Sequence, residues 1–445
     1  MTSTFITRLA AGIGLSSLFL LTGCGGGATA TPSLWEKSIY HSTANPTHLL
    51  AQLNTDQASY FSITDGLAAV VNYDTAGNLT DEITFTSDLG SAKGLTETNE
   101  GILWYGLEGM IMFDNTWNVA WEYPINNTTD TQFNTLYVDD GSQQITYATK
   151  TPTGFEFKVI AKGQLIKSYT HPDETIREVR HMAVSGDTTY AYLTPPGSWQ
   201  SGRLLIFDGD FNLVNSIANT SITRMVTTPT GIAYVGYSGG IVARDRQGEL
   251  EWIANDLPDH MHPSIASTSD ALYFMATKPA DWSDRADGTM KVGPKLVKYN
   301  FSGEKQWSYY PSITASNTGI IYNTEYDADD YKLKQLPSGN LLLTYKETTN
   351  KAILLDTRFT KAIRHHLISK AGRKIRSITE KTVISDRNFC PDVVLCPGGI
   401  GSTETIKHGH RQNYGAIVSS NNKIITLSTQ GSGIENVYLS ELTAY

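Results

Sequence analysis

The chain has 445 residues, 40% hydrophobic and 18% charged, enough apolar material for a large core and too much for wholesale disorder. Its 35 basic and 44 acidic residues give a formal net charge of −9, which leaves a nucleic-acid partner without electrostatic support. The 38 glycines and 23 tyrosines, with no long Ala/Leu/Glu/Lys stretch past residue 30, favour a β-rich fold with many turns.

Residues 1–23 read as an export signal rather than as fold. Arg8 supplies a thin positive region, and "LAAGIGLSSLFLL" (9–21) is apolar but too short for an ordinary membrane-spanning helix. The run ends on Leu21-Thr22-Gly23-Cys24, which resembles the bacterial lipobox. The resemblance implies cleavage before Cys24 and acylation of Cys24, palmitate included. Three acyl chains, at about 0.8 kcal/mol per buried CH2, give stable anchoring. Gly25, rather than Asp, follows the cysteine, so the resemblance further implies sorting to the outer membrane. Residues 24–32, rich in Gly, form a flexible tether, and 33–445 form the folded domain.

A recurring segment dominates that domain. Asp245, Gly248 and Trp252 recur as Asn300, Gly303 and Trp307, and as Asp114, Trp117 and Trp121. Looser copies are Asp74 with Gly77, Asp208 with Phe211, and Asp356 with Phe359; Gly163 keeps the pattern with Ile160 in the first position. Each copy reads as strand, tight turn, strand: Asp or Asn opens the turn through its side chain, and Gly tolerates a positive φ. The first positions lie 37–56 residues apart, the spacing of four-stranded propeller blades. Upstream of the turns lie further strand pairs, such as "HMAVSGDTTYAYL" (181–193) and "RMVTTPTGIAYVGY" (224–237).

Seven complete sets result. Residues 414–445 supply three strands of an eighth, and "SLWEKSIY" (33–40) supplies an orphan outer strand whose Trp35 matches the Trp of the repeats. The expected fold is therefore all-β: an eight-bladed β-propeller closed by pairing the N-terminal strand with the C-terminal blade, with seven blades as the alternative count. Two insertions, 310–330 and 367–412, interrupt it. The first contains "EYDADD", read as a solvated acidic loop or a calcium ligand cluster. The second contains Cys390 and Cys396, expected to form a local disulfide in an exported protein.

The repeat resembles that of quinoprotein-like (PQQ-type) propellers, and with the lipobox the whole resembles outer-membrane propeller lipoproteins, similar in kind to the propeller lipoprotein of the outer-membrane β-barrel assembly complex. The resemblance implies a binding scaffold in the periplasm; surface display is compatible with the same signals. A bound PQQ is not expected, because the Thr-Gly pair and vicinal cysteines of true quinoprotein dehydrogenases are missing.

No phosphate-loop Gly-Lys-Ser/Thr or His-Glu-x-x-His occurs. Imidazole and guanidinium groups concentrate instead in "REVRHM" (Arg180, His181), "DHMHP" (His260, His262) and "KHGHR" (His408, His410, Arg411), with Arg224 alongside. Each precedes or opens the first strand of a repeat. First strands line a propeller's channel, so these groups gather at one mouth. Three readings stand: ordinary polar loop residues, a site for an anion matched by Arg forks, or a transition-metal site at His260, His262, His408 and His410. "LKQLPSGNLLLTY" (333–345) is faintly similar to the repeat of bacterial arylsulfotransferases, which implies an enzymatic alternative at that mouth. His365 and His366 are read as surface residues of an outer strand. The reading leans to a non-enzymatic, membrane-tethered scaffold with an envelope protein as partner and no cofactor; a ligand- or metal-binding propeller or enzyme is its alternative.

Overall fold

The protein, seen as a computed structural model, is described over residues 33–39, 48–54, 57–64, 67–74, 78–86, 92–125, 132–139, 142–172, 178–195, 202–236, 240–255, 261–278, 289–310, 313–316, 322–353, 356–388, 405–406, 411–418, 424–430 and 436–442. The repeats become antiparallel meanders. A first strand, β1 (Ser33–Ile39), precedes them. Sheet 1 is β2 (His48–Asn54), β3 (Gln57–Thr64), β4 (Leu67–Tyr73) and β5 (Leu79–Thr86). Sheet 2 is β6 (Ala92–Thr98), β7 (Gly101–Gly106), β8 (Gly109–Asp114) and β9 (Val119–Pro124). Sheet 3 is β10 (Gln132–Asp139), β11 (Gln144–Thr151), β12 (Gly154–Ala161) and β13 (Gln164–His171). Sheet 4 is β14 (Glu178–Ser185), β15 (Thr188–Thr194), β16 (Gly202–Phe207) and β17 (Leu213–Thr220).

Sheet 5 is β18 (Arg224–Thr227), β19 (Gly231–Val235), β20 (Ile241–Asp245) and β21 (Leu250–Ala254). Sheet 6 is β22 (Met261–Ser267), β23 (Leu272–Lys278), β24 (Thr289–Tyr299) and β25 (Lys305–Tyr309), with β26 (Ile313–Ser316) paired to the start of β24. Sheet 7 is β27 (Tyr322–Gln335), β28 (Leu341–Ile353), β29 (Asp356–Ile368) and β30 (Lys374–Asn388), extended by β31 (Thr405–Ile406). The last sheet, sheet 8, holds β32 (Arg411–Val418), β33 (Ile424–Gln430) and β34 (Asn436–Leu442). β1 pairs antiparallel to β34, with Trp35 opposite Glu441 and Ile39 opposite Val437.

The first strands of neighbouring sheets lie side by side: β2 touches β6 and β32, β10 touches β14, β14 touches β18, and β18 touches β22. First strands inside and fourth strands outside make this a β-propeller. Its middle strands are apolar on both faces because each is clamped between two sheets. All seven residues of β15 are buried. Ala191 and Leu193 enter the core shared with sheet 3, while Tyr190 and Tyr192, one residue out of phase, enter the core shared with sheet 5. Such cores join sheet 1 to sheet 2 through Phe85 and Trp104, and run on sheet by sheet to Tyr273 and Tyr345 between sheets 6 and 7. Outer strands alternate instead; β9 reads half-buried and exposed in turn.

The repeated polar residues build the turns that enter the outer strands. Oδ1 of Asp74, Asp114, Asp208, Asp245 and Asn300 each accepts the amide four residues on, at 2.8–2.9 Å. The amide three residues on returns to the first residue's carbonyl, as from Gly248 to Asp245 at 3.0 Å and from Gly303 to Asn300 at 3.1 Å. That third residue needs the left-handed region: φ is 84° at Gly248 and Gly303, and Trp117 (65°) and Phe211 (63°) adopt it without glycine. Where Ile160 replaces the Asp, Lys162 and Gly163 both take positive φ in a two-residue hairpin, which needs no side-chain cap.

The residue seven places after the turn's start reaches forward to the next sheet. The Trp252 indole N–H donates to the Phe301 carbonyl at 2.9 Å, and that of Trp307 to the Lys370 carbonyl at 3.2 Å. Asn215 donates to the Gln247 carbonyl at 2.9 Å, and Lys167 to the Gly209 carbonyl. A Cβ on Gly303 or Gly372 would meet the Trp252 or Trp307 ring at 2.6 Å, so glycine there is what lets the indole approach. These links run from sheet 3 to sheet 7 and set the outer-strand turns in one belt on one face.

Four expectations need correction. The seventh turn lies at Ser369–Arg373, not at Asp356: the Gly372 amide donates to Ser369 at 2.8 Å, and Asp356 opens β29 instead. β28 and β29 run 13 residues each, longer than the other sheets' strands, and displace the turn. The residues expected as an insertion at 367–412 therefore begin with the outer strand β30, and those at 310–330 include β26 and the first half of β27. "EYDADD" is strand, with Glu325 opposite Asn350 and Asp327 opposite Thr348. His365 and His366 are buried in the third strand of sheet 7 (0% and 6% exposed) rather than on an outer-strand surface.

Candidate anion site at the channel mouth

Inner strands start irregularly. Register shifts interrupt the beginnings of β6, β10, β14, β22 and β32. A bulge of this kind bends the strand and re-aims a side chain. In β14 the shift falls between Val179 and His181, leaving Arg180 as the extra residue. Its Nε donates to the Thr194 hydroxyl at 2.9 Å, and its guanidinium lies 3.3 Å from the Glu178 carboxylate.

His181 follows, stacked on Tyr192 with ring centroids 6.1 Å apart and planes 10° off parallel. The Tyr192 hydroxyl donates to the Thr220 carbonyl at 3.0 Å, and the ring fills the space over Gly202, where a Cβ would come within 2.3 Å. Burial, then the Arg224 and Arg180 guanidinium groups, bring the imidazole down from 6.5 to about 4. His181 is therefore neutral at pH 7 beside two fixed positive charges. Arg224 is exposed at the first position of β18, the inner strand next to β14. The fold thus brings Arg180, His181 and Arg224 together. An anion settling between the guanidinium groups would remove their repulsion of an imidazolium and gain a third donor.

The remaining sequence candidates divide as follows. His262 and Arg411 fall at the beginnings of β22 and β32, with side chains outside the described residues. His260, His408, His410, Cys24, Cys390 and Cys396 lie outside the described residues. Among the described residues no group of three or more His, Cys, Asp or Glu is placed to hold a metal ion.

Two features escaped the sequence reading. Gly236-Tyr237-Ser238-Gly239-Gly240 matches Gly-x-Ser-x-Gly, but it joins β19 to β20 rather than a strand to a helix, so it lacks the context of a nucleophile elbow. The other is a polar cluster between sheets 6 and 7. His366 places Nδ1 2.9 Å from the Tyr309 hydroxyl and Nε2 3.2 Å from that of Tyr345, with Tyr345 stacked on it at 5.5 Å. Burial, Arg364, His365 and Lys374 bring His366 down to about 3. Arg364 grips the buried Glu347 through two bonds of 2.9 and 2.8 Å. The available signal was a histidine pair followed directly by Leu367 and Ile368, at the buried end of β29.

A second long-range contact bears on the channel. The Lys334 ammonium donates to both carboxylate oxygens of Glu97 at 2.9 Å, joining β27 of sheet 7 to β6 of sheet 2. Both residues lie near the far ends of their inner strands, away from Arg180 and His181.

No protein family and no curated protein matches the sequence. Solved structures do resemble the fold. BamB from Moraxella catarrhalis is 11% identical over 71% of this chain and 94% of its own, with a TM-score of 0.35. BBS1N, solved in complex with ARL6DN, is 8% identical over 79% of this chain and 96% of its own, at 0.40. A prolyl endopeptidase is 8% identical over 86% of this chain and 54% of its own, at 0.45.

Proposed function

We propose that this chain is an outer-membrane lipoprotein, acylated at Cys24, whose eight sheets close into one eight-bladed ring. It serves as a protein-binding scaffold in the cell envelope, in outer-membrane protein assembly or secretion. The observation that carries the scaffold reading is the belt of forward links: the repeated Asp, Gly and Trp are occupied in turns and sheet-to-sheet contacts, making a rigid platform. The pairing of β1 with β34 and the contact of β2 with β32 support closure. Cross-linking of the full-length protein in intact envelopes, followed by mass spectrometry, is expected to recover a defined envelope protein. Recovery of the propeller alone would count against the scaffold.

A second reading, a site for a small anion at the channel mouth, is favoured by the two guanidinium groups that act on His181. Titration with sulfate or an aryl carboxylate, followed by the His181 ring resonances, is expected to raise the imidazole pKa from about 4. An unchanged titration curve at saturating anion removes this reading.

A further inference from the structure

The outer strands carry a second repeated position that the turn chemistry does not explain. Five residues after the turn's start stand Leu79, Leu165, Leu213 and Leu250, and all four are exposed, by 45–59%. Ile166, Val214 and Ile375, one place further on in their own repeats, are exposed as well. The position pairs near the end of the neighbouring strand, at a register shift: Leu79 with Tyr73, Leu213 with Phe207, Leu250 with Arg244. The bulge turns two successive side chains outward at the rim. Because the forward links hold the turns of sheets 3 to 7 in one belt, the apolar side chains of those sheets share one rim on one face of the propeller.

β1 begins on that same face. Trp35 takes the place of Trp252 and Trp307 in the repeat, so Ser33 stands at the rim position itself. Ser33 is the ninth residue after Cys24, a reach of about 30 Å at most. We infer that the turn-side rim rests on a lipid surface, with the exposed leucines dipping into its interface. The inference rests on acylation at Cys24. A rim spread over several sheets presents a plane rather than a groove, and a flat bilayer meets a plane at all points where a globular partner would meet one sector. The face bears both signs, the turn carboxylates of Asp74, Asp114, Asp208 and Asp245 beside Lys305 and Lys374 at the same rim position, and the chain's net charge is −9, so the surface it fits best is zwitterionic.

The test uses the full-length protein in phosphatidylcholine/phosphatidylethanolamine vesicles, with photoreactive benzoylphenylalanine replacing Leu213 or Leu250. A control replaces Glu108, exposed in the β7–β8 hairpin on the opposite face. Intact mass first reads acylation at Cys24, which judges the anchor separately. Irradiation is expected to give lipid adducts at 213 and 250 at least tenfold above those at 108, falling when anionic lipid is added. Acylated, vesicle-bound protein without excess lipid adducts at 213 and 250 would overturn the inference, as would protein adducts at those positions in native envelopes. If Cys24 carries no acyl chain, the same variants at millimolar lipid decide: adducts at 213 and 250 sustain a lipid-facing rim, and their absence ends it.

Discussion

Single side chains carry much of the stability here through position rather than size. Gly303 combines φ of 84° with an indole where its Cβ would be. Gly303→Ala is therefore expected to lower the unfolding free energy by about 1–3 kcal/mol, checked by urea denaturation. The same change at Gly339, with φ of 75° and no atom closer than 3.9 Å, meets strain but no clash and should cost less. Histidine burial gives a pH signature. His181 and His366 are held at about 4 and about 3, below the ordinary 6.5, so the unfolded chain binds more protons than the folded one in between. Stability is full above pH 6.5 and falls as pH drops toward 4 and 3, by a few kcal/mol in all. His366→Phe is expected to flatten part of that slope in melts taken from pH 7 to 4, with some loss at pH 7 because Tyr309 and Tyr345 give up their partner. A slope identical to that of the parent protein would show the imidazole to be uninvolved.

Among elements, β1 has the largest consequence for its length. It covers an edge of β34 that would otherwise present a row of unpaired amides and carbonyls. Deleting Ser33–Ile39 is expected to lower the melting temperature by several degrees and to promote aggregation, read by scanning fluorimetry with light scattering. Equal stability without the strand would refute closure by β1. The turns of sheets 1–6 were legible in sequence because Asp, Asn and Gly meet a local backbone demand that spacing alone reveals. Sheet 7 was not, because Asp356-Thr-Arg-Phe359 mimics the turn pattern while the true turn at Ser369–Gly372 opens with Ser. Strand length is set by how far two strands stay paired rather than by either strand's own residues, so the 13-residue β28 and β29 left no local mark. That Arg180, His181 and Arg224 stand at the beginnings of neighbouring inner strands was legible because the repeats align those beginnings. The bulge at Arg180 was not, since register is a property of two strands and not of one.

At the scale of the whole molecule, the ion pair between Lys334 and Glu97 links sheets that are not neighbours. Its side chains are 46% and 36% exposed, so Lys334→Met is expected to change the unfolding free energy by no more than about 1 kcal/mol in urea melts. A propeller axis is easily pictured as the same from end to end, but here a side-chain bar strung from β27 to β6 crosses one end of it. The bar sits at the turn-side end, and the opposite end carries Arg180, His181 and Arg224. The two ends therefore differ in charge: a mutually neutralising pair at one, guanidinium groups beside a neutral imidazole at the other.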